Sequence, residues 1–363
     1  MINNMRLKIF SFLVLIFVTV PLFSQRDSSN TITPNILLND KAVNRPVNLY
    51  KGQFQCNINY QFGVQSKKFD DAGNKLDFSQ DGRATMRHYY CLNLKYGILK
   101  NLEFSTSLPY SQFIEREIPT VVFSSPYYYQ LNTITENKGF YDLSFDLSYQ
   151  LIHSKKFFMI INGGAFIPTA QYKPEQPQNE IINNPDFYHT TADNAVYVNY
   201  HNYNKLGDGI YKLQVGGAIK WIISNLAISC DANYIKGLGE TNNISWQFQL
   251  NNGVFQYKEN PYKMQYSDNL KFNGGLMLQV YPWLAVATNF QTFNAFNGWS
   301  EESGKRIRNP EMDLVNFVPG FEIQVTSHLR WTQEVGFPIS GRNIYAPLYF
   351  STGISLNYFP FKK

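Results

Sequence analysis

Histidine and serine are the residue types with which this chain could cleave a covalent bond. Its five histidines are His88, His153, His189, His201 and His328. None of them lies in a His-x-Ser-Asn-Gly setting. Ser327 and His328 are adjacent, but they lie in a predicted turn and point apart. Nucleophilic catalysis requires a nucleophile and a base within reach of each other, so the sequence predicts no catalytic residues and no enzyme.

The cysteines do not indicate metal or redox chemistry. Cys56, Cys91 and Cys230 are far apart and form no Cys-x-x-Cys pair, so neither a zinc site nor a redox motif is expected. We therefore predict no metal site and no cofactor. None of the three follows the N-terminal apolar segment closely enough to carry a lipid anchor.

Charged side chains on the polar face of predicted strands are candidates for lining an interior. These candidates are Arg87, Lys95, Glu103, Asp142, Asp146, Lys212, Lys220, Asp231, Lys271, Glu322, Arg330 and Glu334. The two signs balance, whereas a ring of one sign would indicate an ion-selective pore. Balanced charges can pair across neighbouring strands. Two interpretations stay open: a salt-bridged, largely filled interior, or a selectivity filter.

Alternation of apolar and polar residues with period two runs through most of the chain after Lys51. Between Gln53 and Gln65, for example, Phe54, Ile58 and Phe62 fall on one face and mostly amides fall on the other. Such alternation sends apolar and polar side chains to opposite faces of a strand. A soluble β-sandwich would rarely present so many amides with so few charges on its solvent face.

Short and long connections alternate between these predicted strands. Five short turns, the first at Leu99-Lys100, separate six longer segments, such as Thr169 to Asp208. Bacterial outer-membrane barrels have short periplasmic turns, longer external loops and an even number of strands. The pattern predicts an all-β fold, a transmembrane antiparallel up-and-down β-barrel of about 12 strands. Alternation from Ile244 to Leu250 predicts a hairpin above the membrane, with an extra barrel strand as the alternative, so the strand count stays open to within two.

Composition supports the same fold class. Aromatic residues make up 16% of the chain, with 25 Tyr and 29 Phe, and charged residues also make up only 16%. Soluble domains carry about 25% charged residues. A net charge of +5 without a dense basic cluster does not indicate nucleic-acid binding. Aromatic residues near predicted strand ends suit interfacial girdles: Tyr96, Tyr110, Tyr149, Trp221, Tyr234, Tyr281, Trp283 and Tyr358.

The N-terminus has the pattern of a secretory signal peptide. Arg6 and Lys8 precede an apolar run from Ile9 to Val20, and Ser24 offers a cleavage point. The run is short for a membrane-spanning helix, which needs about 20 residues. We predict a signal peptide over residues 1–24, a periplasmic N-terminal segment over 25–50 and an outer-membrane barrel over 51–363 of a Gram-negative bacterium.

The segment from Thr169 to Asp208 is expected to regulate access to the interior. Connections of this length without strand patterning commonly cover or plug something. Its tyrosines could form a vestibule for phenol-like solutes: Tyr188, Tyr197, Tyr200 and Tyr203. An exposed, mobile cap with no role in passage is the alternative interpretation.

Several short motifs resemble a known family. Residues 96–103, followed by Ser107-Leu108-Pro109-Tyr110, resemble the Y-G … N-L-E … L-P-Y hairpin of the phenol-degradation meta-pathway outer-membrane transporter-like family. Gly139 to Ser144 resembles its G-x-x-D-L element. Phe166 to Thr169 resembles its x-x-P-T-G strand end, and Gly207 to Tyr211 its G-x-G-x-x re-entry. The resemblance runs from about Gln53 to Phe359 in one order.

The resemblance implies a channel for passive passage of small, hydrophobic or aromatic molecules. Its expected partners are outer-membrane lipid, a small-molecule solute and the barrel-assembly machinery, for which Tyr358, Phe359 and Phe361 are candidate signals. The chain departs from the family at Ala170, where glycine is usual, and in its Lys362-Lys363 ending. A non-transporting structural or adhesin-type barrel is the alternative.

Overall fold

The computed structural model describes residues 41–45, 47–77, 84–116, 120–124, 127–182, 195–203, 205–251, 254–302 and 304–358. A short 3-10 helix, Ala42–Asn44, precedes strands β1 to β23. In chain order the strands are β1 (Phe54–Gln65), β2 (Lys67–Phe69), β3 (Lys75–Asp77), β4 (Ala84–Leu99), β5 (Leu102–Arg116), β6 (Thr120–Ser124), β7 (Tyr127–Phe140), β8 (Leu143–His153), β9 (Phe157–Ile167), β10 (Gln178–Ile182), β11 (Ala195–Tyr203), β12 (Lys212–Ile223), β13 (Leu226–Gly237), β14 (Thr241–Asn251), β15 (Val254–Gln265), β16 (Asp268–Tyr281), β17 (Leu284–Phe296), β18 (Trp299–Glu302), β19 (Lys305–Arg308), β20 (Met312–Gln324), β21 (Leu329–Arg342), β22 (Ile344–Tyr345) and β23 (Leu348–Tyr358). In these ranges no helix is long and apolar enough to cross a membrane.

A closed antiparallel barrel dominates the described structure. Pairing proceeds around the ring from β1 through β4, β5, β8, β9, β12, β13, β16, β17, β20 and β21 to β23, which pairs with β1. β7 and β8 together form a single barrel strand, because β7 pairs with the outer half of β5 and β8 with its inner half. Counting β7 with β8 gives 12 barrel strands among the described residues, which confirms the prediction from turn spacing.

The register fixes which side chains face outward. Ile58 pairs with Leu92 and Ile354, whereas its neighbour Asn57 pairs with Asn93 and Ser355. Residues that pair directly share a face, so apolar side chains share the outer surface and polar ones the interior. Ile58 is 52% exposed and Val215 61% exposed. An apolar surface of this extent is what lipid covers in a membrane barrel.

Aromatic side chains mark the short-turn end of this surface. Tyr281 and Trp283 flank a short turn with stacked rings 5.7 Å apart. Tyr149, Trp221 and Tyr358 are also exposed near that end. Amphipathic rings at strand ends suit the headgroup region of a bilayer, as the girdle interpretation predicts.

The opposite end of the barrel continues into smaller sheets. β14 and β15 form the hairpin expected around Ile244 to Leu250, and they join β18 and β19 in a four-stranded sheet. β2, β3 and β22 form a three-stranded sheet. We call these sheets, together with β10 and β11, the external sheets.

The prediction that Thr169 to Asp208 lacks its own strands is wrong. β11 pairs in parallel with β7 over Ala195–Tyr203, and β10 pairs with β11. The physical reason is that β11 contains alternating β-branched and aromatic residues, which favour strand formation, while the outer half of β7 supplies a free edge to pair with. Sequence alone does not show that edge. It arises because β9 pairs with β8 but not with β7, which leaves the corresponding side of β7 without a barrel neighbour.

Candidate functional site

The lumen of the barrel is narrowed at its short-turn end by residues 41–45 and 47–53, which we call the inner segment. Its helix places Val43 against Phe158, Ile222 and Ala227, which point into the lumen from the wall. Val43 is completely buried, and its backbone N–H donates to Gln279 Oε1 at 3.3 Å. An apolar contact therefore seats the beginning of the inner segment.

Charged side chains of the wall hold the middle of the inner segment. The Arg45 guanidinium pairs with Glu322 and also donates to Gln324. Lys220 Nζ donates to the carbonyl oxygen of Arg45 at 2.9 Å. Arg45 and Glu322 are both largely buried, so removing either partner would leave a poorly hydrated charge, which is costly.

The end of the inner segment is bonded to the opposite part of the wall. Asn48 Nδ2 donates to the carbonyl oxygen of Ser148 at 3.0 Å, and Ser148 Oγ donates to Asn48 Oδ1 at 2.9 Å. The backbone N–H of Leu49 donates to Glu103 Oε2 at 2.7 Å. Glu103 also pairs with Lys95 at 3.2 Å. Four predicted lumen residues, Lys95, Glu103, Lys220 and Glu322, thus hold the segment directly or through one another.

Sequence reasoning did not identify Arg45 or Asn48 as interior groups. These residues precede the period-two pattern, and nothing in their spacing indicates insertion into the lumen. The boundary predicted at residue 51 remains a prediction, and residues 41–45 and 47–50 lie against the interior wall.

Amide and acid side chains form a hydrogen-bonded belt across the middle of the lumen wall. Gln214 Nε2 donates to Asp146 Oδ1 at 3.1 Å. Asn162 Nδ2 donates to Asn233 Oδ1 at 2.9 Å, and Asn273 Nδ2 donates to Asp231 Oδ2 at 2.8 Å. The predicted lumen residues Asp146 and Asp231 are therefore bonded to amides, and neither forms an ion pair within the described ranges.

Glycines beside this belt let its amides lie flat on the wall. The Asn233 side chain occupies the place where a Cβ on Gly216 would stand, and the Asn59 side chain lies likewise beside Gly353. A larger residue at Gly353 would displace the Asn59 amide and the Thr332 hydroxyl, and at Gly216 it would also meet the carbonyl oxygen of Ala232. The missing side chains thus leave room for these amides on the lumen wall.

The outer mouth of the lumen holds a second charged group. Lys212 pairs with Asp208 and lies 3.9 Å from Asp142. Asp142 Oδ1 also accepts a bond from the backbone N–H of Ala170 at 3.3 Å. Asp142 occupies the break between β7 and β8, so this cluster ties two connections to the place where the barrel strand is interrupted. Ala170, where the resembled family has glycine, fits the contact.

The other predicted lumen charges take separate positions. Arg87 donates to Tyr141 Oη at 3.4 Å. Lys271 pairs in register with Asn233, whose side chain belongs to the belt. Glu334 lies beside Gly320, and Arg330 pairs in register with Gln324 and Ser355. All twelve predicted charges are thus at inward positions or at the mouth, and their functional roles remain predictions.

Three of the four tyrosines predicted to form a vestibule lie within the described residues. Tyr188 lies outside the described residues, and Tyr197 lies on β11. Tyr200 is buried and stacks on Tyr257 of β15 with ring centroids 6.1 Å apart. Tyr203 is half-buried at the end of β11. Tyr200 therefore joins two external sheets, a contact that does not by itself form a vestibule.

Lys205 lies between the external sheets and the mouth. Its Nζ is 4.3 Å from the Tyr266 ring centroid and donates to the Tyr266 hydroxyl. Met264 Sδ lies 3.8 Å away. Loss of hydration lowers the pKa of Lys205 to about 8. Lys205 is therefore a group of the external region whose charge changes near neutral pH.

Over the described ranges, no group of three or more His, Cys, Asp or Glu side chains could hold a metal ion. The chemistry that the lumen does offer is hydrogen bonding and charge pairing.

Comparisons with known proteins identify the fold. No family profile matches the chain, and no curated protein matches it. Among solved structures, the COG4313 outer membrane channel from Pseudomonas putida F1 is similar with a TM-score of 0.58, at 11% identity, covering 92% of this chain and 100% of that chain. At this identity the likeness establishes a shared outer-membrane barrel fold.

Two further structures show weaker likeness. The translocator domain of the autotransporter NalP from Neisseria meningitidis has a TM-score of 0.45 at 8% identity, covering 85% of this chain and 90% of that chain. The Ralstonia pickettii toluene transporter TbuX has a TM-score of 0.43 at 8% identity, covering 92% of this chain and 96% of that chain. At these scores neither protein informs the function of this chain.

Proposed function

We propose that this protein is a passive conduit for small molecules in the outer membrane of a Gram-negative bacterium, and that it is not an enzyme. The observation that carries the proposal is a closed barrel with an apolar outer surface and a lumen wall that is mostly polar. The similar fold in Pseudomonas putida F1 belongs to a protein described as an outer membrane channel, which supports the same function here.

The preferred solutes are small and aromatic, and they carry a polar group. The resemblance of the Tyr96 to Tyr110 hairpin to the phenol-degradation family supports the aromatic part, and membership of that family is part of the proposal. The belt around Gln214 and Asn233 supports the polar part, because its amides can bond a hydroxyl or carboxyl group while the narrow lumen excludes larger molecules. The predicted lumen charges contribute by holding the inner segment and the mouth.

Liposome permeation tests the conduit. The full chain is reconstituted, and entry of phenol, benzyl alcohol, glucose and a linear aliphatic alcohol is compared with entry into protein-free liposomes. We expect faster entry of the two aromatic solutes and little acceleration for glucose. Entry no faster than in protein-free liposomes would contradict the proposal and favour a structural or adhesin-type barrel, for which the external sheets would provide the binding surface.

Location is tested separately. Mass spectrometry of the protein isolated from outer membranes should show a chain that begins near Gln25, as the predicted cleavage after Ser24 requires. A retained Met1 in the inner membrane would contradict the assignment. Depletion of the barrel-assembly machinery should reduce the amount of folded protein in the outer membrane.

A further inference from the structure

A cavity of about 120 Å³ lies between the inner segment and the wall at the short-turn end of the lumen. Its polar lining includes Arg45 of the inner segment and Lys95, Arg330, Gln55 and Asn357 of the wall. Val47, Leu49 and Tyr50 of the inner segment line it as well. The lining is thus mainly cationic and amide-rich, with a smaller apolar and aromatic part.

The three cations of this cavity differ in how they are paired. Arg45 pairs with Glu322, and Lys95 pairs with Glu103. Arg330 takes part in no ion pair in the described part of the chain, and its Nε is a buried donor without a hydrogen-bond acceptor. No carboxylate is among the side chains that line the cavity. Two carboxylates therefore serve three cations, and the cavity keeps an excess positive charge at Arg330.

A buried donor without a partner is unfavourable, and a guanidinium is well matched to a carboxylate in shape and charge. An anion in the cavity would supply the acceptor that Arg330 lacks. Its remaining atoms would lie against Val47, Leu49 and Tyr50, which favours an apolar ring over a fully hydrated inorganic ion.

We propose that this cavity binds the carboxylate end of a small aromatic acid on its way through the lumen. The inference rests on the proposed conduit and specifies its substrate class. The volume is suitable for one ring or less, because an engineered cavity of about 150 Å³ holds a single benzene. Since the inner segment forms one side, a bound acid would also contact the element that narrows the lumen.

Calorimetry on the full chain in detergent tests the binding. Benzoate is compared with benzamide, which has the same ring without the charge, and with inorganic phosphate. We expect benzoate to bind more tightly than either. Arg330→Gln should weaken benzoate binding about tenfold or more, because a charged hydrogen bond is worth about 1.5–3 kcal/mol.

Arg306→Gln is the matched control, because Arg306 lies on the external sheets and stacks on Trp299. It should leave benzoate binding unchanged. Heat-dependent migration in gels verifies that each variant is a folded barrel. If Arg330→Gln does not fold, Arg330→Lys replaces it and should also bind more weakly than the wild type, because a lysine lacks the planar fork of donors.

Absence of benzoate binding, or equal binding by the wild type and the Arg330 variant, would overturn the proposal. Phosphate binding as tight as that of benzoate would overturn the assignment to aromatic acids. The proposed conduit is judged independently by entry of neutral phenol into liposomes. Phenol entry without benzoate binding would mean that the anion site is wrong while the conduit stands.

Discussion

The two ends of the lumen are built differently. At the short-turn end, the inner segment is held by a buried ion pair, an apolar contact and side-chain bonds that reach several barrel strands. At the other end, the external sheets meet through isolated contacts, such as Tyr200 on Tyr257 and Trp246 Nε1 donating to the Pro174 carbonyl at 3.3 Å. If the protein is the proposed conduit, this difference predicts that passage is limited at the inner end.

The largest effect is expected from breaking the buried pair at the inner end. Glu322→Gln should weaken docking of the inner segment by about 3–5 kcal/mol, because it leaves Arg45 buried without its counter-charge. Single-channel conductance in planar bilayers should rise as the segment leaves the wall.

Glu311→Gln is the control for that experiment. Glu311 pairs with Arg308 and Arg342 in the exposed external region, where an ion pair contributes about 0–1 kcal/mol. The conductance of the Glu311→Gln variant should match that of the wild type. Equal conductance in both variants and the wild type would contradict the view that the inner segment limits passage.

The second prediction compares substitutions on the two faces of one strand, β1. Ile58→Arg should destabilise the barrel by about 2–4 kcal/mol if the position lies near the membrane midplane, because it places a charge against lipid. Asn57→Arg puts the same side chain into the lumen and should cost much less. Urea unfolding in lipid vesicles measures both variants, and equal penalties would show that the faces are assigned wrongly.

A smaller effect is expected at the contact between the external sheets. Tyr257→Ala removes the ring stacked on Tyr200 and the bond from Tyr257 Oη to Asn179 Oδ1 at 3.1 Å. An aromatic pair contributes about 0.5–1.5 kcal/mol, so hydrogen exchange in β10 and β11 should accelerate modestly. Tyr172→Ala, at an exposed position, is the control. If Tyr257→Ala changed the conductance as much as Glu322→Gln, the view that the inner end limits passage more than the external sheets would be wrong.

The last prediction concerns pH. Burial lowers the pKa of Lys205 from 10.5 to about 8. Between these pH values Lys205 keeps its proton when residues 205–211 are undocked and loses it when they are docked. Docking should therefore strengthen as pH rises from 8 towards 10.5, and below pH 8 the full penalty of a buried charge remains. The protection of residues 205–211 against hydrogen exchange, taken relative to the intrinsic exchange rate at each pH, should increase over this range. Lys205→Met should remove the dependence, and an unchanged slope in that variant would exclude Lys205 as its cause.

The barrel was predictable because one physical constraint acts on every strand. Lipid outside and water inside impose period two from Phe54 to Tyr358, so strand number and faces follow from local sequence. The charged pair Lys95–Glu103 is similarly predictable, since its members lie on adjacent strands joined by a short turn. The ion pair of Arg45 with Glu322 was not predictable from the sequence. It joins residues 277 positions apart, and no periodic pattern of residues indicates it. The pairing of β11 with β7 was missed because the free edge of β7 is created by the tertiary fold, although β11 itself carries a local strand pattern.

The glycines under the belt have an evolutionary consequence. The reach of the Asn233 amide into the lumen depends on the empty space at Gly216, and that of Asn59 on Gly353. Any glycine codon becomes an alanine or valine codon by a single base change. A point mutation at Gly353, where the nearest atoms belong to the side chains of Asn59 and Thr332, would therefore narrow the proposed passage while the lipid-facing surface stays the same. At Gly216 the carbonyl oxygen of Ala232, which lies close to the place of such a Cβ, would have to shift as well. A lineage exposed to a new solute could adjust its sieve through glycine gain and loss without inventing a new fold.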